Sequence, residues 1–329
     1  QRHFTRLLRQ TPNAVFQVLL DSSVALLQAE LAACHLALEV VSLDCKHVIA
    51  WVKENNLKVY VADRYDKTRQ PKGDPDCKLG CKKRHNKTGA AAQEQTGGAE
   101  LHQVSTPTPI TQGHPASHTQ VGEFYWGYAS GIVAVKVPGW GEFVLAEITQ
   151  TFDRGDTICF FPLMQQVERR LGGRPKYGAL DAAFDAHYVY DYFAQAGSFA
   201  AVPLAQRGKT DRTFDPAGLP ICPAGCAMPL KDKFWCRSTA VEHERGHYAC
   251  PLQYPTRSAE TCPINDEHWA KGGCLVTMPT SPGARIRLQL DRSTEQYKSV
   301  YAQRTATERM FSQALELGIE RPKLRNGAA

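Results

Sequence analysis

Lys176-Tyr-Gly-Ala-Leu180-Asp181-Ala-Ala-Phe-Asp185 is a short apolar run that stops on an acidic residue, with Gly172-Gly173 and Pro175 just upstream. Such a run predicts a strand over 176–180. Residues 185–196 then predict a helix, Gly197 its stop, and 198–204 a second strand. Strand, helix, strand at this length forms a crossover unit and predicts a mixed sheet covered by helices, the α/β class.

Further upstream, 159–171 is amphipathic and predicts a helix closed by Gly172-Gly173. The runs 123–137 and 142–150 predict two strands joined by the hairpin signal Pro138-Gly-Trp-Gly141. The run Leu38-Glu-Val-Val-Ser-Leu43 predicts a strand ending on Asp44, with a helix or turn near 48–52. Residues 4–37 carry apolar residues at helical spacing through Val15, Val18, Leu19 and Leu26. Downstream, 212–285 is dense in Pro and Cys and predicts an insertion without a persistent helical stripe. The capping box Ser293-Thr-Glu-Gln296 then opens a helix that Gly318 should stop, with Pro322 beyond it. The expected organisation is a helical lead-in over 1–37, two segments of the α/β domain over 38–87 and 121–211, and a flexible linker over 88–120. The Cys-rich insertion spans 212–285, and the closing helix and tail span 286–329.

The chain has 329 residues, 43% hydrophobic and 22% charged, an ordinary balance for a protein with a substantial core. Its net charge of +6 is mild, but the distribution is uneven. Residues 63–88 hold nine Lys or Arg against four Asp, and 285–325 hold nine against five Asp or Glu. Such basic flanks suit a polyanion partner. Every long apolar stretch is interrupted by charge, as at Asp21 and Glu30, so no membrane span is expected, and a cytoplasmic chain is. Eleven cysteines in a reducing compartment favour metal ligation or free thiols over disulfides.

On one helix, Tyr301, Arg304 and Glu308 would fall within about 60° of each other, a stripe able to face a phosphate and a metal ion. Asp44 and Asp181 stand at the ends of expected strands. If those strands are neighbours and the helix crosses them, three carboxylates converge, and oxygen ligands of that kind suit Mg²⁺ or Mn²⁺. A strand-end Asp can equally cap a turn. Asp63, Asp74 and Asp76 are rivals for the first position, although the strand before Asp44 favours Asp44.

These residues resemble the three motifs of DDE-type insertion-sequence transposases: Ser42-Leu-Asp44-Cys-Lys-His47, Ala179-Leu-Asp181-Ala-Ala-Phe-Asp185 and Tyr301-x₂-Arg304-x₃-Glu308. The resemblance covers about residues 40–325. It implies an RNase H-like fold in which Asp44, Asp181 and Glu308 hold two Mg²⁺ (or Mn²⁺) ions, while Arg304 and Tyr301 contact DNA. The implied activity is phosphodiester hydrolysis and strand transfer on double-stranded DNA at element ends, by a protein expected to be a homodimer on DNA. Lys82, Lys83 and Arg84 are the basic turn expected to join that interface. Where the family's signature continues with Lys after six residues, this chain has Leu315. That departure admits a decayed or domesticated copy that only binds DNA. The family's amino-terminal DNA-binding domain is also not evident, so part of the molecule is expected outside this chain.

Six cysteines fall within 53 residues, from Cys222 to Cys274. Cys222-Pro-Ala-Gly-Cys226 has the form of a metal knuckle, and Cys222, Cys226, Cys236 and Cys250 are the expected ligands of a structural Zn²⁺. Cys77 and Cys81 could form a further half-site. His243-Glu244-Arg-Gly-His247 formally matches a zinc-metalloprotease motif, but such a site needs a long packed helix, and Gly246 and Cys250-Pro251 argue against one.

Overall fold

Strand β1 (Val40–Ile49) lies at the centre of a mixed sheet. The computed structural model describes residues 10–83, 122–205, 212–237, 241–264 and 266–322. The expected linker over 88–120 lies outside them. Preceding β1 is helix α1 (Asn13–Ala33); after it come β2 (Lys78–Lys83), β3 (Gly122–Val137), β4 (Gly141–Thr151) and α2 (Phe160–Leu171). Strand β5 (Tyr177–Leu180), helix α3 (His187–Gln195) and strand β6 (Ala200–Ala201) form the crossover. The sheet runs β2-β3-β1-β5-β6, with β4 also paired to β3. Strand β3 is antiparallel to β1, β2 and β4, whereas β1, β5 and β6 are mutually parallel neighbours. A parallel pair needs a crossover on one face, and α3 supplies it between β5 and β6.

Side-chain alternation along β1 divides the molecule into layers. Val41 and Leu43 belong to the principal core with Val24, Leu27 and Leu31 of α1, Leu163 and Val167 of α2, and Phe193 of α3. Ser42 points the other way, its Oγ 2.9 Å from Thr307 Oγ1 on a closing helix. The sheet is therefore flanked by helices on both faces. By length and composition alone α1 could cross a membrane, contrary to the expectation that no stretch could. Asp21 of the same helix pairs with Arg170 at 2.6 Å and Arg169 at 3.0 Å on α2.

Five expectations are corrected. Strand β1 does not stop at Asp44 but continues to Ile49, because β3 pairs with it along that whole length while β5 pairs only with Val40 to Leu43. The strand expected over 198–204 is the two-residue β6. The insertion contains a three-stranded antiparallel sheet, β7 (Leu230–Cys236), β8 (His243–Ala249) and β9 (Leu275–Pro279), followed by helix α4 (Pro282–Gln289). The single closing helix is two, α5 (Glu295–Ala302) and α6 (Thr305–Glu316). At the break, Arg304 N–H bonds Tyr301 O at 3.0 Å and Ala306 N–H bonds Gln303 O at 3.0 Å, turns of the tighter i to i+3 kind. Thr294, rather than Ser293, caps α5, its Oγ1 accepting from Tyr297 N–H. Gly318, with φ of +78°, ends α6 as expected.

Helix α4 fastens the insertion to the sheet domain. Gly283 lies so close to α3 that an added Cβ would stand 2.1 Å from His187 O, and its N–H donates to Asp191 Oδ1 at 2.6 Å. Arg287 donates through Nε to Asp185 Oδ1 at 2.7 Å and through Nη2 to Oδ2. The Asp185 side chain is fully buried and also accepts from Tyr190 Oη and Ala205 N–H. Asp185, four residues after Asp181, is thus a structural anchor.

Candidate active site and thiol cluster

In the parallel register between β1 and β5, Leu43 stands opposite Leu180, and the next residue on each strand is an aspartate. Asp44 and Asp181 are therefore lateral neighbours on the face that also carries Ser42, at about the spacing of adjacent strands, roughly 4.8 Å between backbones. The structure explains both positions locally. Asp44 Oδ1 accepts from Cys45 N–H at 2.8 Å, and Asp181 Oδ1 accepts from Ala183 N–H at 2.9 Å, capping the one-turn helix Ala182–Phe184. The cap expected of a strand-end Asp is thus present, and it orients the carboxylate beside Asp44.

A third carboxylate, Asp156, was not singled out by sequence. It sits in the one-turn helix Asp156–Cys159 that leads into α2, and its charge acts on Asp44 together with that of Asp181. Burial first, then Asp181 and Asp156, push the Asp44 carboxyl up to about 7, with Cys45 N–H and Arg304 opposing. Burial and Asp181 likewise push Asp156 up to about 6. Only position in the fold reveals Asp156, since its segment has no periodic signal.

Helix α6 brings Arg304 and Glu308 to the edge of this cluster. Ser42 Oγ donates to Arg304 O at 3.3 Å, which seats the start of α6 above β1. Although Tyr301 lies on α5 and Glu308 on α6, the stripe survives the break: the Arg304 guanidinium lies 5.7 Å from the Tyr301 ring centroid and pairs with Glu308 at 2.6 Å. Glu308 is 47% exposed and held by Arg304 rather than turned onto the aspartates. Among the described residues no three His, Cys, Asp or Glu side chains are drawn to metal-ligand spacing. Of the rival aspartates, Asp74 is buried and accepts from Tyr128 Oη at 2.7 Å. Leu315 is half-exposed on α6.

Lys82 and Lys83 end β2, paired with Glu123 and Gly122 of β3. Asp44 pairs with Ile132, nine positions further along β3, so the basic strand end lies roughly 30 Å from the carboxylates along that strand. Arg84 lies outside the described residues.

The crowding of Asp44 has a measurable consequence. Its folded-state proton is held up to about pH 7, against an ordinary value near 4 in the unfolded chain. Stability from this group is therefore complete below about pH 4 and lost as pH rises through about 7. In buffer free of divalent cations, Asp44→Asn should raise stability at pH 8 by about 1 to 2 kcal/mol and leave it nearly unchanged at pH 4. Thermal melts at both pH values check this; equal shifts at the two would contradict it.

In the insertion, Cys222, Cys226, Cys250, Cys262 and Cys274 line one recess. Cys236 is not among them: it sits at the end of β7 opposite His243. Sequence spacing could not separate it from Cys274, because the convergence is made by strand pairing. The metalloprotease motif does not lie on the helix such a site needs, since His243 to His247 is strand β8. Four residues on a strand span about 13 Å, so the two imidazoles cannot share one ion as they would on a helix. His247 Nδ1 instead meets Asp232 Oδ1 at 2.5 Å, and His243 Nδ1 lies 2.9 Å from Val241 O.

No protein-family model matches the chain, and neither a curated protein nor a solved structure is similar to it at a significant level.

Proposed function

We propose that the chain is the catalytic core of a DDE-type DNA transposase with an RNase H-like fold, cutting and joining phosphodiesters of double-stranded DNA. The observation that carries this is the pairing of Asp44 with Asp181 at matched register on parallel neighbouring strands, beneath a helix that delivers Arg304 and Glu308. A central strand with antiparallel partners on one side and parallel partners on the other supports the RNase H-like assignment.

The donors fit Mg²⁺ or Mn²⁺. They are all oxygen, and to the burial that first pushes Asp44 and Asp156 up the neighbouring Asp181 adds like-charge crowding that a divalent cation relieves. Asp44 and Asp181 would hold the ions with Glu308; Asp156 lies close enough to act on the same charge. When bound, such ions activate a water or hydroxyl and stabilise a leaving oxygen at phosphorus. The chain itself positions the DNA. Arg304, a planar fork backed by the Tyr301 ring, suits a phosphate. A phosphate arriving there competes with Glu308 for the guanidinium and frees that carboxylate to turn toward Asp44. Cutting two element ends calls for two copies on DNA.

The second reading is a copy that binds DNA without cutting, favoured by Leu315 in the place of the signature's Lys. One assay separates them: nicking of supercoiled DNA carrying the sequences that flank the coding region, with Mg²⁺ or with chelator. Cation-dependent nicking that disappears in Asp181→Asn supports the transposase. Nicking retained by that variant refutes it, and binding without nicking in the unaltered chain favours the second reading.

A further inference from the structure

The insertion has a small core of its own: Met228, Tyr248 and Cys222 are its buried hydrophobic centre. Segments with so few buried residues commonly need a disulfide or a metal to hold them. All cysteines are free thiols, and five of the eleven face one recess.

Backbone turns bring them there. Cys222 N–H donates to Cys226 O at 2.9 Å and Gly225 N–H to Cys222 O at 2.9 Å, with Gly225 at φ +81°, which closes a tight knuckle between Ile221 and Ala227. Cys250 follows β8 and opens a second turn, its carbonyl accepting from Gln253 and Tyr254 N–H. Cys274 follows Gly272-Gly273, both at positive φ. A Cβ on Gly273 would meet Cys250 Cβ at 2.7 Å and Sγ at 3.0 Å, so the chain before Cys274 can approach Cys250 only as glycine.

The sulfurs rest in pairs, Cys226 against Cys222 and Cys274 against Cys250. Burial and the neighbouring thiols push the Cys226 thiol up, and the Cys274 thiol up to about 12. No three are already at ligand spacing, so closure requires the cysteine side chains to turn inward, to about 2.3 Å from an ion.

We propose that Cys222, Cys250 and Cys274, with a fourth thiolate from Cys226 or Cys262, bind one structural Zn²⁺ that holds the insertion together. Each ligand gives its proton to solvent as the Zn–S bond forms, so binding strengthens as pH rises. Four thiolates leave no open coordination position, which makes the site structural rather than catalytic. Cys236 and the two β8 histidines take no part. The proposal is independent of the transposase assignment.

The test is metal analysis of the full chain purified under reducing conditions, together with Co²⁺ substitution. About one zinc per chain is expected, with the visible absorption bands of tetrahedral cobalt thiolate after exchange. Cys222→Ser, Cys250→Ser, Cys274→Ser and the double Cys226→Ser/Cys262→Ser should each fall below about 0.2 zinc per chain, while Cys236→Ser keeps the full amount. Zinc near zero in the unaltered chain without a cobalt–thiolate spectrum overturns the proposal, as does full zinc in Cys274→Ser. If serine variants fail to fold, the cobalt spectrum of the unaltered chain decides.

Discussion

Asp181→Asn should lower cation-dependent nicking about a thousandfold, equivalent to roughly 4 kcal/mol of transition-state stabilisation, while DNA binding stays within about twofold. The substitution is conservative where the fold is concerned. Asp181 Oδ1 caps Ala183 N–H, and the Asn carbonyl oxygen can accept the same bond, so the turn after β5 survives. What disappears is one negative charge next to Asp44. Without it a cation would be held by fewer anionic oxygens, and the part of the upward push on Asp44 and Asp156 that Asp181 adds to burial is lost. A filter-binding assay run beside the nicking assay separates lost chemistry from lost binding. Activity within tenfold of the unaltered chain would mean that Asp181 is only a cap.

The largest effect on stability is expected from Arg287→Ala. Removing the guanidinium leaves Asp185, whose side chain has no solvent exposure, with Tyr190 Oη and Ala205 N–H as its donors among the described residues. Breaking one side of a buried pair typically costs about 3 to 5 kcal/mol, and the two surviving donors place this case near 3. The melting temperature should fall by about 4 to 5 °C. Replacing both partners together, as Asp185→Asn/Arg287→Met, should cost less than Arg287→Ala alone, because no unpaired charge remains. Chemical denaturation of the three variants measures this; a loss below about 1 kcal/mol for Arg287→Ala would show the pair to be dispensable.

The parts of the fold that were legible in sequence are those with local signals. The hairpin at Pro138-Gly-Trp-Gly141, the helix closed by Gly172 and the strand stopping at Asp181 were all marked by turn residues, and each is found. Where partners far along the chain decide, the sequence was silent. Asp44 lies mid-strand because β3 continues where β5 ends, and neither fact is written near Asp44. The break at Gln303-Arg304 has no Gly or Pro; it coincides with the bond from Ser42 to Arg304 O. Strand β7 reads Lys-Asp-Lys through its middle, exposed and without apolar alternation, so pattern could not reveal it.

The candidate site divides the same way. Asp44, Asp181, Arg304 and Glu308 were visible as motif residues, whereas Asp156 was invisible because an acid in an irregular segment resembles any solvated turn. Among the thiols, Cys222 and Cys226 were readable from their knuckle. Cys274 was not, since Gly272-Gly273 looks like an ordinary loop until the approach to Cys250 is seen.

The most direct measurement is an anomalous-scattering map at the manganese edge from crystals of the unaltered chain grown with Mn²⁺. A peak bridging the Asp44 and Asp181 carboxylates, absent from Asp181→Asn crystals, is the predicted result. Full manganese occupancy elsewhere with nothing between those two aspartates would contradict the proposed catalytic centre.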